Sequence, residues 1–215
     1  MQIFPSILNA SFAALQQEID SLRSADRLHL DVMDGQYVPS ISFGPQMLSG
    51  CHFPLPIEVH LMTQSPLQQL DACLQAGAVR VYMHAEVLMT EARMLDALYQ
   101  TEQSGAESGI VLDLQTSAEE LSDAVLTRAD AVLLMSVQAG AGGQVFDATA
   151  LEKAQLLRQR GYTGQIVLDG GVTRHVLTTH DCRMVDGCVV GSALTSLSHS
   201  GRGQMIAELQ KLYTC

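Results

Sequence analysis

Positive charge is what this chain has least of. Lys and Arg number 12 against 23 acidic residues in 215, giving a formal net charge of −11, and no basic run occurs. Binding to a phosphate backbone leans on clustered Lys and Arg. Nucleic acid is therefore excluded as an expected partner, and an anionic membrane surface with it. A phosphorylated ligand would have to be held mainly by local dipoles. Apolar runs are short, and none approaches the ~20 residues of a membrane span. The start, "MQIFPSILNA", lacks the basic segment and long apolar stretch of a signal peptide. Cysteines are few: Cys51, Cys73, Cys182, Cys188 and Cys215 are odd in number and form no C-x-x-C pair. That excludes a disulfide framework or a cysteine-built zinc site and points to reduced thiols in a cytoplasmic protein. No Pro-, Gly- or Ser-rich linker divides the chain, so one domain over residues 1–215 is expected.

What the chain has in quantity is short β-rich apolar runs. They begin at Ile3, Leu28, Ile57, Val79, Gly109, Ala131, Gln165 and Cys188, 22 to 34 residues apart. Most intervals carry a helical pattern. In "SPLQQLDACLQAG", Leu67, Leu70 and Leu74 form an apolar stripe and Gly77 a stop. In "DATALEKAQLLRQRG", Asp147 is the expected N-cap and Gly161 the expected end. Strands alternating with helices imply a parallel sheet. Eight such units can close into a (β/α)8 TIM barrel; an open doubly wound sheet satisfies the same periodicity. An open sheet collects its ligand groups at one switch point. Here polar residues sit near the ends of many strands: His29, Asp31, His60, His84, Asp113, Ser136 and Asp169. That distribution favours the barrel.

Residues two apart on a strand share a face. His29, Asp31 and Met33 therefore point one way in "LHLDVMD", as do His60 and Met62 in "IEVHLM", and Val167 and Asp169 in "QIVLDGG". If those faces line the barrel, two imidazoles and two carboxylates converge. Buried acids need compensation. A divalent cation supplies it, and a His₂Asp₂ set suits zinc, ferrous iron or manganese better than calcium or magnesium. A structural hydrogen-bond network is the alternative. A second constellation is glycine-rich: Gly140, Gly142 and Gly143 after the sixth run, Gly170 and Gly171 after the seventh, Gly191 with Ser192 after the eighth. Backbone without side chains can approach an anion, and barrels bind phosphate with the loops after strands seven and eight. Lysine supplies a further exclusion. The two present, Lys153 and Lys211, fall in expected outer helices, so a Schiff-base mechanism lacks its strand-borne amine. Decarboxylases and synthases that use an Asp-x-Lys strand end lack theirs too.

"PSIL" at 5–8, "LHLDVMDGQYVPSISFG" at 28–44, "EVHLM" at 58–62, "HAE" at 84–86, "GAGGQVF" at 140–146, "DGGV" at 169–172 and "GSAL" at 191–194 together resemble the ribulose-phosphate 3-epimerase family. The resemblance runs in order along nearly the whole chain. It implies a ribulose-phosphate-binding barrel that interconverts ribulose 5-phosphate and xylulose 5-phosphate, small phosphorylated ketoses. It implies one divalent metal on His29, Asp31, His60 and Asp169, with Asp31 and Asp169 as the two acid–base groups working through a metal-stabilised enediolate. Ser6 and His60 fall at substrate-contacting positions, the glycines and Ser192 at phosphate-binding ones, and Met33, Met62 and Met135 over the reacting carbons. A homo-oligomer is implied by the same resemblance. The chain departs from the family pattern in its "AGAGG" loop, where Ala139 and Ala141 replace a proline and an aromatic. It departs also at Asp113-Leu114, Val167, Tyr37 and Ser40. These departures leave open a hexulose 6-phosphate such as allulose 6-phosphate as substrate, or a barrel that binds sugar phosphate without turnover.

Overall fold

A computed structural model describes residues 1–44 and 50–212; Cys215 lies outside them. Eight strands run β1 (Gln2–Pro5), β2 (Leu28–Met33), β3 (Ile57–Met62), β4 (Ala78–His84), β5 (Glu107–Leu112), β6 (Ala131–Met135), β7 (Gln165–Asp169) and β8 (Gly187–Val190). Between and after them come α1 (Leu15–Asp20), α2 (Leu70–Gln75), α3 (Ala85–Leu88), α4 (Glu91–Gln103), α5 (Asp123–Arg128), α6 (Thr149–Gln159), α7 (Arg174–Thr179), α8 (Ser192–Thr195) and α9 (His199–Lys211). Every neighbouring pair of strands is parallel, in the order β1-β8-β7-β6-β5-β4-β3-β2. The cylinder closes from β1 to β2 through one bridge between Ser6 and His29, where Ile7 N donates to His29 O at 3.4 Å. The barrel, not the open sheet, is the fold. No helix among the described residues is long and apolar enough to cross a membrane.

Alternation along each strand builds two cores. Outward residues such as Leu28, Leu30, Val59, Leu61, Val132, Leu134, Ile166 and Leu168 pack beneath the helices. Inward residues Phe4, Tyr82, Val111, Leu133, Val167 and Val189 fill the barrel itself. The two large rings dictate glycine opposite them. A Cβ on Gly109 would stand 2.2 Å from the Tyr82 ring, and one on Gly187 would stand 2.4 Å from the Phe4 ring. Beneath this layer lies an ionic one. Glu58, Arg80 and Glu107 are register partners on β3, β4 and β5. Arg80 pairs with both acids, and Arg27 reaches Glu107 with two contacts of 2.9 Å.

Some ends differ from expectation. β1 stops at Pro5, and Ser6 keeps only a single bridge to His29 before the chain turns, its Oγ accepting from Leu8 N at 3.2 Å. "GSAL" belongs to α8 rather than to β8. The expected N-cap Asp147 lies one residue early: Ala148 caps α6, while Asp147 Oδ1 accepts from Thr149 N at 2.9 Å in an Asx turn. Gly161 follows the helix at φ +82°, as a stop residue should.

Candidate active site

Strands β2, β3 and β7 carry His29, Asp31, His60 and Asp169 to one point at the C-terminal end of the barrel. Asp31 and His60 are register partners, which makes them neighbours across the ladder. Both rings are fully buried, and the acids are 4 % and 8 % exposed. His29 Nε2 lies 3.4 Å from Asp31 Oδ1 and 3.6 Å from Asp169 Oδ2. His60 Nδ1 lies 3.4 Å and 3.2 Å from the same two atoms. One ligand atom from each residue falls within 4.8 Å of every other. Tetrahedral ligands at ~2.1 Å from an ion stand ~3.4 Å apart, so four of the six spacings already match a coordination shell. His29 Nε2 and His60 Nδ1 have no hydrogen-bond partner although buried. Buried polar atoms are rarely left so, and both face the carboxylates. The residues therefore fit a divalent ion.

The electrostatics agree. Burial depresses a charged imidazole, yet the carboxylates of Asp31, Glu58 and Asp169 raise His29 well above the ordinary histidine range. Asp169 and Asp31 raise His60 in the same way against its burial. Burial disfavours ionised Asp31, but His29 and His60 hold it far below the usual carboxylate range. The pocket demands positive charge.

Outer contacts set the orientation of each group. His29 Nδ1 lies 2.8 Å from Glu58 Oε1, so it donates there, and in the neutral ring that would bind an ion Nε2 turns its lone pair toward the acids. His60 Nε2 lies 2.8 Å from His84 Nε2. Ser6 Oγ donates to Asp31 Oδ2 at 2.5 Å. Ser136 accepts no ligand role: its Oγ donates to the carbonyls of Asp169 and Gly170 at 2.9 and 2.6 Å, fixing the end of β7. Asp34 makes a turn, accepting from the amides of Gln36, Tyr37 and Gln64.

Over this cluster opens a cavity of about 210 Å³. Its wall includes Ser6, Asp31 and Asp169, all three methionines Met33, Met62 and Met135, and the expected Gly140, Gly142, Gly143, Gly170, Gly171, Gly191 and Ser192. His29 and His60 stand behind the wall, so His60 meets the cavity only through the carboxylates. Gly171 sits at φ +62°, where a Cβ would come within 2.6 Å of Phe146 N; a side chain there would collide with backbone. Gly142 has room limited only by Asn9, whose Nδ2 would lie 2.7 Å from its Cβ.

Sequence reasoning passed over Glu58, Arg80 and Asn9. Glu58 was within its reach, since it shares a strand face with His60. Val167 belongs to the inner core rather than to the outer contacts of the site. Lys153 is held on α6, its Nζ donating to the carbonyls of Asp113 and Leu114 at 2.7 Å each. Lys211 ends α9. Neither lysine lines the cavity over the cluster.

Comparison with known proteins is consistent with this geometry. A family model described as the ribulose-phosphate 3 epimerase family matches residues 2–195. The ribulose-phosphate 3-epimerase of Bacillus subtilis is 32% identical over 219 residues, covering 98% of each chain. The chloroplastic ribulose-5-phosphate-3-epimerase of Arabidopsis thaliana is 37% identical over 179 residues, covering 80% of this chain and 63% of that protein. A solved 3-hexulose-6-phosphate synthase covers the whole chain with a TM-score of 0.73 at 13% identity, a likeness of fold alone.

Proposed function

The chain belongs to the ribulose-phosphate 3 epimerase family, and from that premise we propose that it inverts C3 of a ketose phosphate, converting D-ribulose 5-phosphate to D-xylulose 5-phosphate. The observation that carries this reading is the pair Asp31 and Asp169, brought from β2 and β7 to one buried His₂Asp₂ cluster beneath a cavity. Inversion beside a ketone removes a proton from one face of C3 and returns one to the other. One base cannot serve both faces, and two carboxylates can.

The atoms divide the work. Asp31 Oδ1 and Asp169 Oδ2 face the two unpartnered ring nitrogens and would hold the ion with them. That leaves Asp31 Oδ2 and Asp169 Oδ1 to take and give the C3 proton. Ser6 Oγ, itself oriented by Leu8 N, donates to Asp31 Oδ2 and keeps that oxygen aimed. A divalent ion on the four ligands supplies electrophilic stabilisation of the charge that deprotonation leaves on the substrate oxygens. Met33, Met62 and Met135 give the reacting carbons an apolar cover and keep water from them. The backbone amides around Gly142, Gly143, Gly171, Gly191 and Ser192 would take the phosphate. Two histidines and two carboxylates support zinc, ferrous iron or manganese as the ion. Family membership supports a homo-oligomer, and the few cysteines, Cys51, Cys73, Cys182 and Cys188, with no disulfide among the described residues, support the reducing cytoplasm.

Incubation with ribulose 5-phosphate in D₂O, followed at C3 by NMR, tests the reading. Deuterium entry with xylulose 5-phosphate formation is expected, and prior chelation should stop both. Exchange only with a hexulose 6-phosphate would transfer the same chemistry to a six-carbon substrate, for which the small Ala141 on the cavity wall leaves space. No reaction with either would sink catalysis. A second expectation concerns the phosphate end. Gly142→Ala should displace the Asn9 amide and raise KM by about tenfold, ~1.4 kcal/mol of binding common to ground and transition state. Steady-state kinetics should show kcat nearly unchanged. A fall in kcat with constant KM would remove Gly142 from the phosphate grip.

A further inference from the structure

One polar chain behind the cluster has no part in the proton transfers. His84, fully buried at the end of β4, meets His60 edge to edge, with ring centroids 5.0 Å apart and a 22° interplanar angle. Its Nε2 meets His60 Nε2 at 2.8 Å. Its Nδ1 lies 3.0 Å from the Tyr37 hydroxyl and 3.2 Å from Glu86 Oε2. The Tyr37 hydroxyl in turn reaches Asp113 Oδ2 at 3.4 Å, and Asp113 N donates to Glu86 Oε1 at 2.8 Å.

We propose, building on the metal reading above, that His84 and Tyr37 are positioning residues for His60. Between two ring nitrogens at 2.8 Å one must donate and the other accept. His60 presents Nδ1 to the carboxylates. To offer a lone pair there, a neutral ring must carry its proton on Nε2. His84 Nε2 is then the acceptor, and the His84 proton sits on Nδ1, shared between Tyr37 and Glu86. Tyr37 accepts from His84 and donates to Asp113. Every donor points away from the ion site, so one arrangement of protons satisfies the whole chain. The two ligand rings are thus oriented by unlike means. His29 donates directly to the carboxylate of Glu58, whereas His60 reaches its outer carboxylates through His84, to Glu86 directly and to Asp113 by way of Tyr37. A neutral acceptor is the weaker one, and hydrogen bonds in series strengthen one another.

The test is metal binding, not turnover alone. Cobalt(II) titrations, with chelator competition and visible absorption, would compare the wild type with His84→Phe, His84→Gln and Tyr37→Phe. Phenylalanine keeps a buried aromatic ring and removes the acceptor. It should weaken cobalt binding by about 10- to 100-fold and shift the ligand-field bands. Glutamine restores an acceptor oxygen and should recover most of the affinity. Tyr37→Phe keeps the packing and should show a smaller loss in the same direction. Wild-type affinity and an unchanged spectrum in His84→Phe would overturn the role of His84. A lowered thermal midpoint with unchanged cobalt affinity would do the same, because it marks a structural part only. Unchanged affinity in Tyr37→Phe would remove Tyr37. A wild-type protein that takes up no cobalt would overturn the metal reading and this role together.

Discussion

Asparagine at position 169 should slow epimerisation by about 10³-fold or more while the barrel stays folded. A positioned general base contributes about 10²–10⁴-fold, and Asp169 is one of two. The substitution keeps shape and an amide oxygen that can still face the ion, but it removes the proton acceptor. The backbone should not move, because Ser136 N and Oγ both hold the Asp169 carbonyl, at 2.7 and 2.9 Å. Asp31 remains, with its own Ser6 contact. Two-base chemistry then makes a sharper demand than lost activity. One epimer should still exchange its C3 hydrogen with D₂O at the face that Asp31 serves, without inverting, and the other epimer should not exchange. NMR of each substrate separately reads this out. Near-normal turnover, or equal exchange of both epimers, would take Asp169 out of its assigned role.

Arg80→Met should lower stability by about 3–5 kcal/mol, the usual cost of stranding one member of a buried ion pair. Arg80 is 2 % exposed and Glu58 not at all. Without the guanidinium, Glu58 keeps only the His29 contact, and Glu107 keeps Arg27. For a chain of this size about 2–4 °C is lost per kcal/mol, so the thermal midpoint should fall by roughly 6–20 °C. The double variant Arg80→Met, Glu58→Met separates two functions of the layer. It should regain most of the midpoint, since apolar replacement of both partners removes the stranded charge. It should not regain metal affinity, since His29 has lost its acceptor. An unchanged midpoint in the single variant would show that the pair adds nothing.

The barrel was legible because the sequence repeats one physical unit. Apolar runs at regular spacing returned every strand start within two residues, from Ile3 for β1 to Cys188 for β8. The convergence of His29, Asp31, His60 and Asp169 was legible too: alternation alone puts His29 beside Asp31, and burial of two acids asks for a cation. Glu58 and Arg80 obey the same alternation and were still passed over. A charged residue near the start of a strand reads as a solvent-exposed end. Only the register, with Glu58 beside Arg80 beside Glu107 on three strands, shows that these ends turn inward. Register across a closed sheet is set by the whole cylinder, not by any local stretch. The His84–Tyr37–Asp113 chain was hidden for the same reason, since its members come from three segments that meet only after closure.

The bridge between Ser6 and His29 has a mechanical consequence. It is the weakest stitch in the circumference, and it lies beside the ion site. An ion gripped by Asp169 on β7 and by His29 and Asp31 on β2 would span that stitch from both sides, with Ser6 of the first strand's turn tied to Asp31 between them. It would act as a clasp on the barrel's seam. The chemistry has been placed at the seam between the first and second strands, so that loading the site also buttons the cylinder.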